Sequence, residues 1–268
     1  MTDKFKQLMG KDKPIIGMSH FLALPGDPSF KKGDCLDHVA DEMIKDVIAL
    51  QEGGIDAILF SNEHSRPWRL QNQNVTQAAM SYVLGRVKAE LNAPFGVHVI
   101  WDAKSTIDLG AATNADFIWE VFTGAYGSDY GLWDTDPGKW LRHKRALSSK
   151  AGILAEIIPE AAAGVAKRNI AEVAKTTAFN FPADVLCIAG IKPGVPPDRD
   201  LIKQVKDENA HVKVFATTGM KTDNIEQYFS VADGFVVGSA LKKDGNLFNP
   251  VDGNRVKEFV KYVNSLRK

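Results

Sequence analysis

Two stretches late in the chain, Val214–Gly219 (VFATTG) and Gly234–Ser239 (GFVVGS), decide the fold. Each is a short apolar run that stops at glycine beside hydroxyl side chains and leads into a polar or helical segment. Parallel strands that end side by side in this way leave backbone N–H groups unobstructed, and the loops after the last two strands of β/α barrels bind phosphate with such groups. The pattern predicts parallel β/α architecture and a phosphorylated ligand.

Short apolar runs alternate with longer amphipathic segments along the chain, which is the pattern of parallel βα units. Eight such units in 268 residues favour a closed barrel, because a six-stranded doubly wound sheet would leave two strands over. We predict an α/β fold, a single (β/α)8 TIM barrel that spans residues 1–268 as one domain. The predicted strands centre on Ile15–Met18, Ala57–Phe60, Gly96–Ile100, Phe117–Val121, Ile153–Ile157, Val185–Ile188, Val212–Phe215 and Gly234–Val237.

Apolar residues at three- and four-residue spacing predict helices between the strands. These helices are Leu36–Gln51, Thr76–Leu91, Asn169–Phe179, Leu201–Glu208 and a final one around Val256–Val263. Two long loops, Phe21–Asp34 and Phe122–Pro137, follow strands one and four. They lie at the C-terminal face, where barrel enzymes place their sites, and their Gly and Pro content suits ordered loops or lids.

Composition narrows the function classes. Lys plus Arg equals Asp plus Glu at 33 each, so the net charge is zero, which argues against a nucleic-acid-binding protein. The sequence contains no apolar run long enough to span a bilayer and no apolar signal core at the N-terminus, so we expect a cytoplasmic protein without membrane insertion. Cys35 and Cys187 are too few and too far apart for a disulfide framework.

The phosphate site is predicted at the ends of strands seven and eight. Its residues are Thr217, Thr218, Gly219, Gly238 and Ser239, with help from Gly190 after strand six. The alternative is that the glycines merely serve tight turns. Lys192 in the loop after strand six is a solvated loop residue, a phosphate contact or a Schiff-base nucleophile. Lys242 and Lys243 are expected on the surface; the alternative is that they add positive charge near the phosphate site.

Polar residues at the ends of strands one and two are candidates for chemistry. His20 ends strand one and could shuttle a proton or ligate a metal; the alternative is a histidine bonded to a loop carbonyl. Asn62 follows strand two and could bind a sugar hydroxyl. Glu63 is a general-base candidate, but it could equally be a helix N-terminal acid or a partner of Arg66.

Further candidates lie on strands three to five. Asp102 at the tip of strand three is a mouth carboxylate, and His98 shares its strand parity but could be a core histidine. Glu120 is predicted to face the strand–helix layer. Glu156, among Leu154, Ile157 and Ile158, would have the raised pKa that acid–base work requires. With Asp102 and His20 it could also hold a divalent cation, although no tight metal motif is present.

Three motifs in order resemble one family over nearly the whole chain. They are Ile16–His20 with Leu24–Pro28, Phe122–Leu132, and Ala232–Gly245 with Asn249–Asp252. The family that they resemble is BtpA/SgcQ. The resemblance implies a β/α barrel of the phosphate-binding type. One branch of the family is linked to photosystem I biogenesis, and another is encoded beside genes for sugar uptake and sugar phosphates.

The chain departs from the family pattern at two strand ends. His98 and Trp101-Asp102 stand where the family has Asn and Arg-Asn-Asp. Glu156 and Pro159-Glu160 stand where it has Asp and then Lys-His. The resemblance therefore places the chain in a subgroup with a different substrate, nearer the sugar-linked branch.

The favoured hypothesis is an enzyme that acts on a small phosphorylated sugar or related metabolite as an isomerase, epimerase or aldolase-type lyase. In it, Glu156 or Asp102 moves a proton next to a carbonyl, and His20 stabilises or protonates the oxyanion. The alternative is a non-catalytic, BtpA-like assembly or regulatory factor that acts through the Tyr126–Trp133 loop. The aromatic residues of strand four and its loop could stack on a sugar or base, or could equally anchor a lid or a subunit contact: Trp119, Phe122, Tyr126, Tyr130 and Trp133. Substrate and cofactor stay open, and self-association is expected.

Overall fold

Eight parallel strands close into a barrel in the computed structural model, which describes residues 1–157 and 159–267. The barrel strands are β1 (Ile15–His20), β2 (Ala57–Ser61), β3 (Phe95–His98), β4 (Phe117–Glu120), β7 (Gly152–Glu156), β9 (Val185–Ile188), β10 (Lys213–Ala216) and β11 (Gly234–Val237). Their closed order is β1-β11-β10-β9-β7-β4-β3-β2. The predicted TIM barrel is confirmed. Ile158, an expected neighbour of Glu156, lies outside the described residues.

Helices cover the outside of the barrel and one of its ends. They are α1 (Asp3–Gly10), α2 (Leu36–Glu52), α3 (Asn74–Val87), α4 (Ala103–Thr113), α5 (Pro137–Ala146), α6 (Ile170–Asn180), α7 (Arg199–Glu208) and α8 (Gly253–Leu266). Short 3-10 turns follow β10 at Ile225–Tyr228 and β11 at Ser239–Leu241. Among the described residues, none of these helices has both the length and the apolar character needed to cross a membrane.

Alternate residues of each strand belong to two different cores. On β1, Ile15 packs in the layer between strands and helices, whereas Ile16 packs inside the barrel. This alternation is that of any β-strand, whose successive side chains point to opposite faces. It brings the last inward-facing side chains of four strands to the C-terminal mouth: His20, Ser61, His98 and Glu156.

The first helix closes the N-terminal end of the barrel. Phe5 and Leu8 of α1 are fully buried in the inner core, and the Phe5 ring lies 6.0 Å from that of Phe117. At Gly152, a Cβ atom would come within 2.2 Å of the Phe5 ring, so the absence of a side chain there leaves room for Phe5 of α1. Among the described residues, the barrel interior is therefore packed from its floor, and its mouth lies at the opposite end.

The segment Phe122–Pro137, predicted as a loop, contains a β-hairpin, so that prediction was wrong. Its strands, β5 (Ala125–Ser128) and β6 (Gly131–Asp134), join β8 (Ala162–Gly164) in a small antiparallel sheet. The hairpin was missed because its glycines interrupt the apolar alternation that marks strands. Tyr126 and Trp133 are buried, and Trp133 lies 5.3 Å from Trp101 at the end of β3. These aromatic side chains anchor the sheet over one side of the mouth.

Candidate active site

A narrow cavity lies at the C-terminal mouth of the barrel. One wall consists of residues after β10 and β11, namely Thr217, Thr218, Gly219, Gly238 and Ser239. The opposite wall includes Glu63, His98, Trp119 and Glu160. The cavity holds about 40 Å³ of space, which is room for roughly three water molecules at about 10–15 Å³ each. A larger ligand must widen the mouth.

The wall after β10 and β11 presents unused backbone donors. The two strands are paired in parallel, with Ala216 beside Phe235, so their ends lie next to each other. Within residues 1–157 and 159–267, the N–H groups of Gly219, Gly238 and Ser239 donate no hydrogen bond to another described residue. Gly219 has a φ of +69°, and a Cβ atom there would lie 2.2 Å from the Pro196 nitrogen, so glycine is required. Unobstructed donors of this kind suit an anion.

Gly190 and Lys192 do not take part in this wall. The Gly190 N–H donates to the Thr218 hydroxyl at 2.7 Å, and that hydroxyl donates to the Val195 carbonyl at 2.9 Å. The Gly190 amide therefore holds its own loop in place and is not available to a ligand. Lys192 is exposed and does not line the cavity, which is the solvated-loop alternative that the sequence left open.

Glu156 lies immediately behind the same wall. Its Oε1 accepts a hydrogen bond from the Ala189 N–H at 3.1 Å, and its Oε2 accepts one from the Thr217 hydroxyl at 3.2 Å. The carboxylate is almost fully buried and ties together the ends of β7, β9 and β10. These bonds orient Thr217 at the edge of the cavity.

His20 is neutral, and its free nitrogen faces Gly238. Nδ1 lies 3.2 Å from the Leu247 carbonyl oxygen, which can only accept, so Nδ1 carries the proton in the tautomer that this geometry assigns. Burial, followed by the charges of Lys242 and His64, holds the His20 pKa well below its usual 6.5. Nε2 has no partner among the described residues and would lie 3.9 Å from a Cβ at Gly238. Nε2 is thus placed to accept a proton, and the predicted role of His20 in stabilising or protonating an oxyanion stays a prediction.

Two buried carboxyl groups line the opposite wall. Burial, with the negative charges of Glu63 and Glu156, raises the pKa of Glu160 to about 9. Burial also raises the pKa of Glu63, against the opposing effects of His98 and the Ser61 hydroxyl at 3.3 Å. Glu160 is therefore protonated at neutral pH and can donate. The sequence analysis noted Glu160 only as a departure from the family pattern and did not predict it as a site residue. Its position shortly after the end of a barrel strand was the feature that could have indicated a place at the mouth.

His98 is held inside the mouth by aromatic rings. Its ring centroid lies 4.8 Å from that of Trp119 and 5.1 Å from that of Trp101. Nε2 is 3.3 Å from Glu120 Oε2, close enough for attraction but outside hydrogen-bond geometry. Burial raises the pKa of Glu120, which also accepts a bond from Thr106 of α4 at 3.4 Å. The predicted placement of Glu120 toward the helix layer agrees with that contact.

Asn62 braces the backbone after β3. Its Oδ1 accepts a hydrogen bond from the Ile100 N–H at 2.8 Å, while Nδ2 has no partner among the described residues. The side chain is fully buried and does not line the mouth cavity. The predicted contact with a sugar hydroxyl is thus not one that this conformation offers.

Asp102 is a helix cap that faces away from the mouth cavity. It is the N-cap of α4, and its oxygens accept bonds from the Ser105 N–H at 3.0 Å, the Ser105 hydroxyl at 2.9 Å and the Asn72 N–H at 2.7 Å. It borders a separate cleft. The prediction that Asp102 is a mouth carboxylate was wrong, because capping the exposed amides of α4 turns its side chain outward.

We expect Asp102→Ala to lower the free energy of unfolding by about 1–2 kcal/mol, because it removes the cap. Asp102→Asn keeps a good capping side chain and should lie within a few tenths of a kcal/mol of the unsubstituted protein. Urea unfolding measures both values. A loss of ligand binding in Asp102→Asn at unchanged stability would contradict the structural role.

Lys242 is buried, which corrects its predicted surface position; Lys243 is exposed as expected. The Lys242 Nζ lies 3.7 Å from Asp46 Oδ2 on α2. Burial lowers the pKa of Lys242, and the Asp46 and Glu63 charges oppose this effect.

The predicted cation site of His20, Asp102 and Glu156 does not form, and the part of the chain described here contains no group of three or more potential metal ligands.

Comparison with known proteins agrees with this architecture. The chain is 42% identical over 264 residues to the putative sgc region protein SgcQ of Escherichia coli (strain K12), with 98% of each chain covered. It is 30% identical over 250 residues to the photosystem I biogenesis protein BtpA of Synechocystis sp., covering 92% of this chain and 86% of the relative. Among solved structures, (S)-3-O-geranylgeranylglyceryl phosphate synthase from Thermoplasma acidophilum, in complex with its substrate sn-glycerol-1-phosphate, matches with a TM-score of 0.64 at 14% identity over 99% of each chain.

The fold and the mouth cavity define a (β/α)8 barrel protein whose structural neighbours include phosphate-binding enzymes. The model of the BtpA family matches residues 11–265, and the chain belongs to that family. The resemblance inferred from the three sequence motifs is thereby confirmed.

Proposed function

We propose that this protein is an enzyme that transfers protons within a small phosphorylated sugar or related metabolite, as an isomerase, an epimerase or an aldolase-type lyase. One observation carries the proposal. Unused backbone donors and Glu160, whose pKa is raised, border the same cavity, and His20, whose pKa is lowered, lies directly behind Gly238 of that lining. Groups whose environments push their pKa values apart are typical of acid–base catalysis.

The phosphate binds to the N–H groups of Gly219, Gly238 and Ser239 in this proposal. Support comes from their position on adjacent strand ends and from the lack of other partners for them among the described residues. The barrel that binds sn-glycerol-1-phosphate has the same fold, which makes a phosphorylated ligand reasonable without fixing its identity. Thr217, held by Glu156, would add a hydroxyl at the edge of this site.

His20 and Glu160 would move the proton. The neutral His20 accepts at Nε2 a proton from the carbon next to a carbonyl, and Glu160 donates its proton to the carbonyl oxygen. The two transfers give an enediol without net gain or loss of protons, and their reversal at the neighbouring carbon completes an isomerisation. A phosphate dianion beside Gly238 would raise the His20 pKa and make it a stronger base. Glu63 lies on the Glu160 wall and keeps Glu160 protonated.

A thermal-unfolding screen against phosphorylated sugars and inorganic phosphate tests the proposal. A ligand at a hundred times its dissociation constant should stabilise the protein by about 2.7 kcal/mol and raise Tm by roughly 5–10 °C. Each stabilising sugar phosphate is then incubated with the protein, and ³¹P and ¹H NMR should show conversion to an isomer or to cleavage products. The unphosphorylated sugars are the controls. Stabilisation by none of the phosphates would overturn the proposal. The proposal also places the enzyme in the cytoplasm, where such metabolites occur.

A second candidate function is that of a non-catalytic assembly or regulatory factor. The exposed apolar face of the β5–β6–β8 sheet favours it, since Leu132 is 71% exposed and Val165, just after β8, is 65% exposed. A surface of this kind suits contact with another protein or a second copy of the chain. This candidate predicts that Glu63→Gln and Glu160→Gln leave the cellular function intact, whereas Leu132→Asp abolishes it.

A further inference from the structure

A strap of residues 242–251 connects the end of β11 to α8 across the rim of the mouth. Its two ends are held together, because Lys242 and Val251 form an antiparallel bridge and the Lys243 N–H donates to the Pro250 carbonyl at 2.9 Å. Leu247, in the middle of the strap, lines the mouth cavity. Its carbonyl is the group that holds the His20 Nδ1 proton. The strap thus supplies the only described contact that sets the His20 tautomer.

Helix α2 fixes both ends of the strap through one carboxylate. Asp46 Oδ1 accepts a hydrogen bond from the Val251 N–H at 2.8 Å, and Asp46 Oδ2 lies 3.7 Å from the Lys242 ammonium. The Ser19 hydroxyl, one residue before His20, lies 3.5 Å from the same Oδ2. Lys242 is 1% exposed and Asp46 6%. A buried pair at this separation adds little net stability, so stability alone does not explain its presence.

We propose that Asp46 and Lys242 are positioning residues. By fixing the ends of the strap on α2, they keep the Leu247 carbonyl on His20 Nδ1 and leave Nε2 as the proton acceptor beside Gly238. Neither residue lines the mouth cavity, so both act through the strap. This inference rests on the proposed function for its catalytic meaning, but the tautomer itself is a property of the protein without ligand.

The charged groups around His20 come from three elements. Lys242 is on the strap, Asp46 is on α2, and Glu63, His64 and Arg66 follow β2. Lys242 and His64 disfavour a second proton on His20. Burial lowers the pKa of Lys242, and the negative charge of Glu63 raises it. Loss of the Lys242 charge should therefore raise the His20 pKa as well as loosen the strap.

Nitrogen-15 NMR of the His20 imidazole in the ligand-free protein is the test. We expect the unsubstituted protein to show Nδ1 protonated and Nε2 unprotonated at pH 7. Lys242→Met should give a mixture of the two tautomers and a higher His20 pKa. Lys243→Met, which removes the exposed neighbouring lysine of the same strap, is the matched control and should change neither.

A second pair of variants separates positioning from general destabilisation. Asp46→Ala removes the acceptor for Val251 and should mix the tautomers, whereas Asp46→Asn keeps that acceptor and should preserve the Nδ1-protonated form. If Lys242→Met does not fold, the uncharged double variant Asp46→Asn/Lys242→Met replaces it. Retention of a single tautomer in both Lys242→Met and Asp46→Ala would overturn the inference. Because no ligand is involved, failure of phosphate to bind would count only against the proposed function.

Discussion

Replacing Glu160 by glutamine is expected to lower kcat by about 10²–10⁴-fold for the sugar phosphate that the unfolding screen selects, because it removes a general acid. Glutamine keeps the size of the side chain and can still donate a hydrogen bond, but it cannot give up a proton. KM should change much less than kcat, since the proposed phosphate contacts lie on the opposite wall. Steady-state kinetics of the two proteins measure this split.

The pH dependence of the enzymatic rate gives a second test of Glu160→Gln. With a pKa of about 9 in the free protein, Glu160 is protonated through neutral pH, so kcat/KM should fall as pH rises through about 9. The Glu160→Gln variant should lack this alkaline decline in its residual activity. An unchanged kcat in the variant would exclude Glu160 as the acid.

Glu160→Gln should also stabilise the free protein at neutral pH. The folded pKa of about 9 lies above the ordinary 4.5, so the stability due to the protonated group is complete below 4.5 and is lost as pH rises toward 9. At about 1.36 kcal/mol per pH unit, this loss reaches up to about 4 kcal/mol at pH 7.5. The variant should therefore gain that much at pH 7.5 and nothing near pH 4.5. Glu258→Gln, at an exposed position of α8, is the control and should show no pH-dependent gain.

Side chains placed at Gly238 are expected to weaken phosphate binding in proportion to their size. An added Cβ would lie 3.4 Å from the Met18 sulfur and 3.9 Å from the His20 ring, which are ordinary contact distances that the fold tolerates. The added atoms would occupy the space beside the amide where the anion is proposed to bind. We expect Gly238→Ala to weaken phosphate binding about tenfold and Gly238→Val about a hundredfold, or about 1.4 and 2.7 kcal/mol.

The matched control for Gly238→Val is Gly127→Val. Gly127 lies on β5, and a Cβ atom there would meet nothing within 4 Å. Titration calorimetry with inorganic phosphate gives the affinities, and thermal unfolding without phosphate verifies that each variant is folded. Equal phosphate affinity in Gly238→Val and Gly127→Val would move the anion site away from β11.

The barrel was predictable because its signal repeats eight times. Each apolar run ends in a short polar segment, and the closed order follows once eight such units share one chain. The β5–β6 hairpin was not predictable, because Gly127 and Gly131 interrupt the alternation of apolar and polar residues that marks a strand. Gly219 and Gly238 line the mouth cavity because strand ends alone determine where they lie, and phosphate binding there stays a prediction.

The direction of individual polar side chains was harder to predict. Asp102 follows a strand and equally precedes a helix, and only the Asp102–Ser105 spacing indicated that capping would win. Lys242 looked exposed because its partner, Asp46, comes from a helix far earlier in the chain. The tautomer of His20 depends on the main-chain carbonyl of Leu247. Every residue has such a carbonyl, so the residue type at position 247 does not indicate this contact.

The packing of Phe5 and Leu8 in the inner core closes the floor of the barrel, so a ligand of the mouth cavity would enter and leave across the same rim. Reactant and product must pass the same rim in turn, and the few waters displaced by an arriving molecule have to leave against its path. Occupancy by the departing compound therefore blocks the next turnover. If the proposed reaction takes place here, initial rates measured with added product should show competitive inhibition, because product and substrate would share this one cavity.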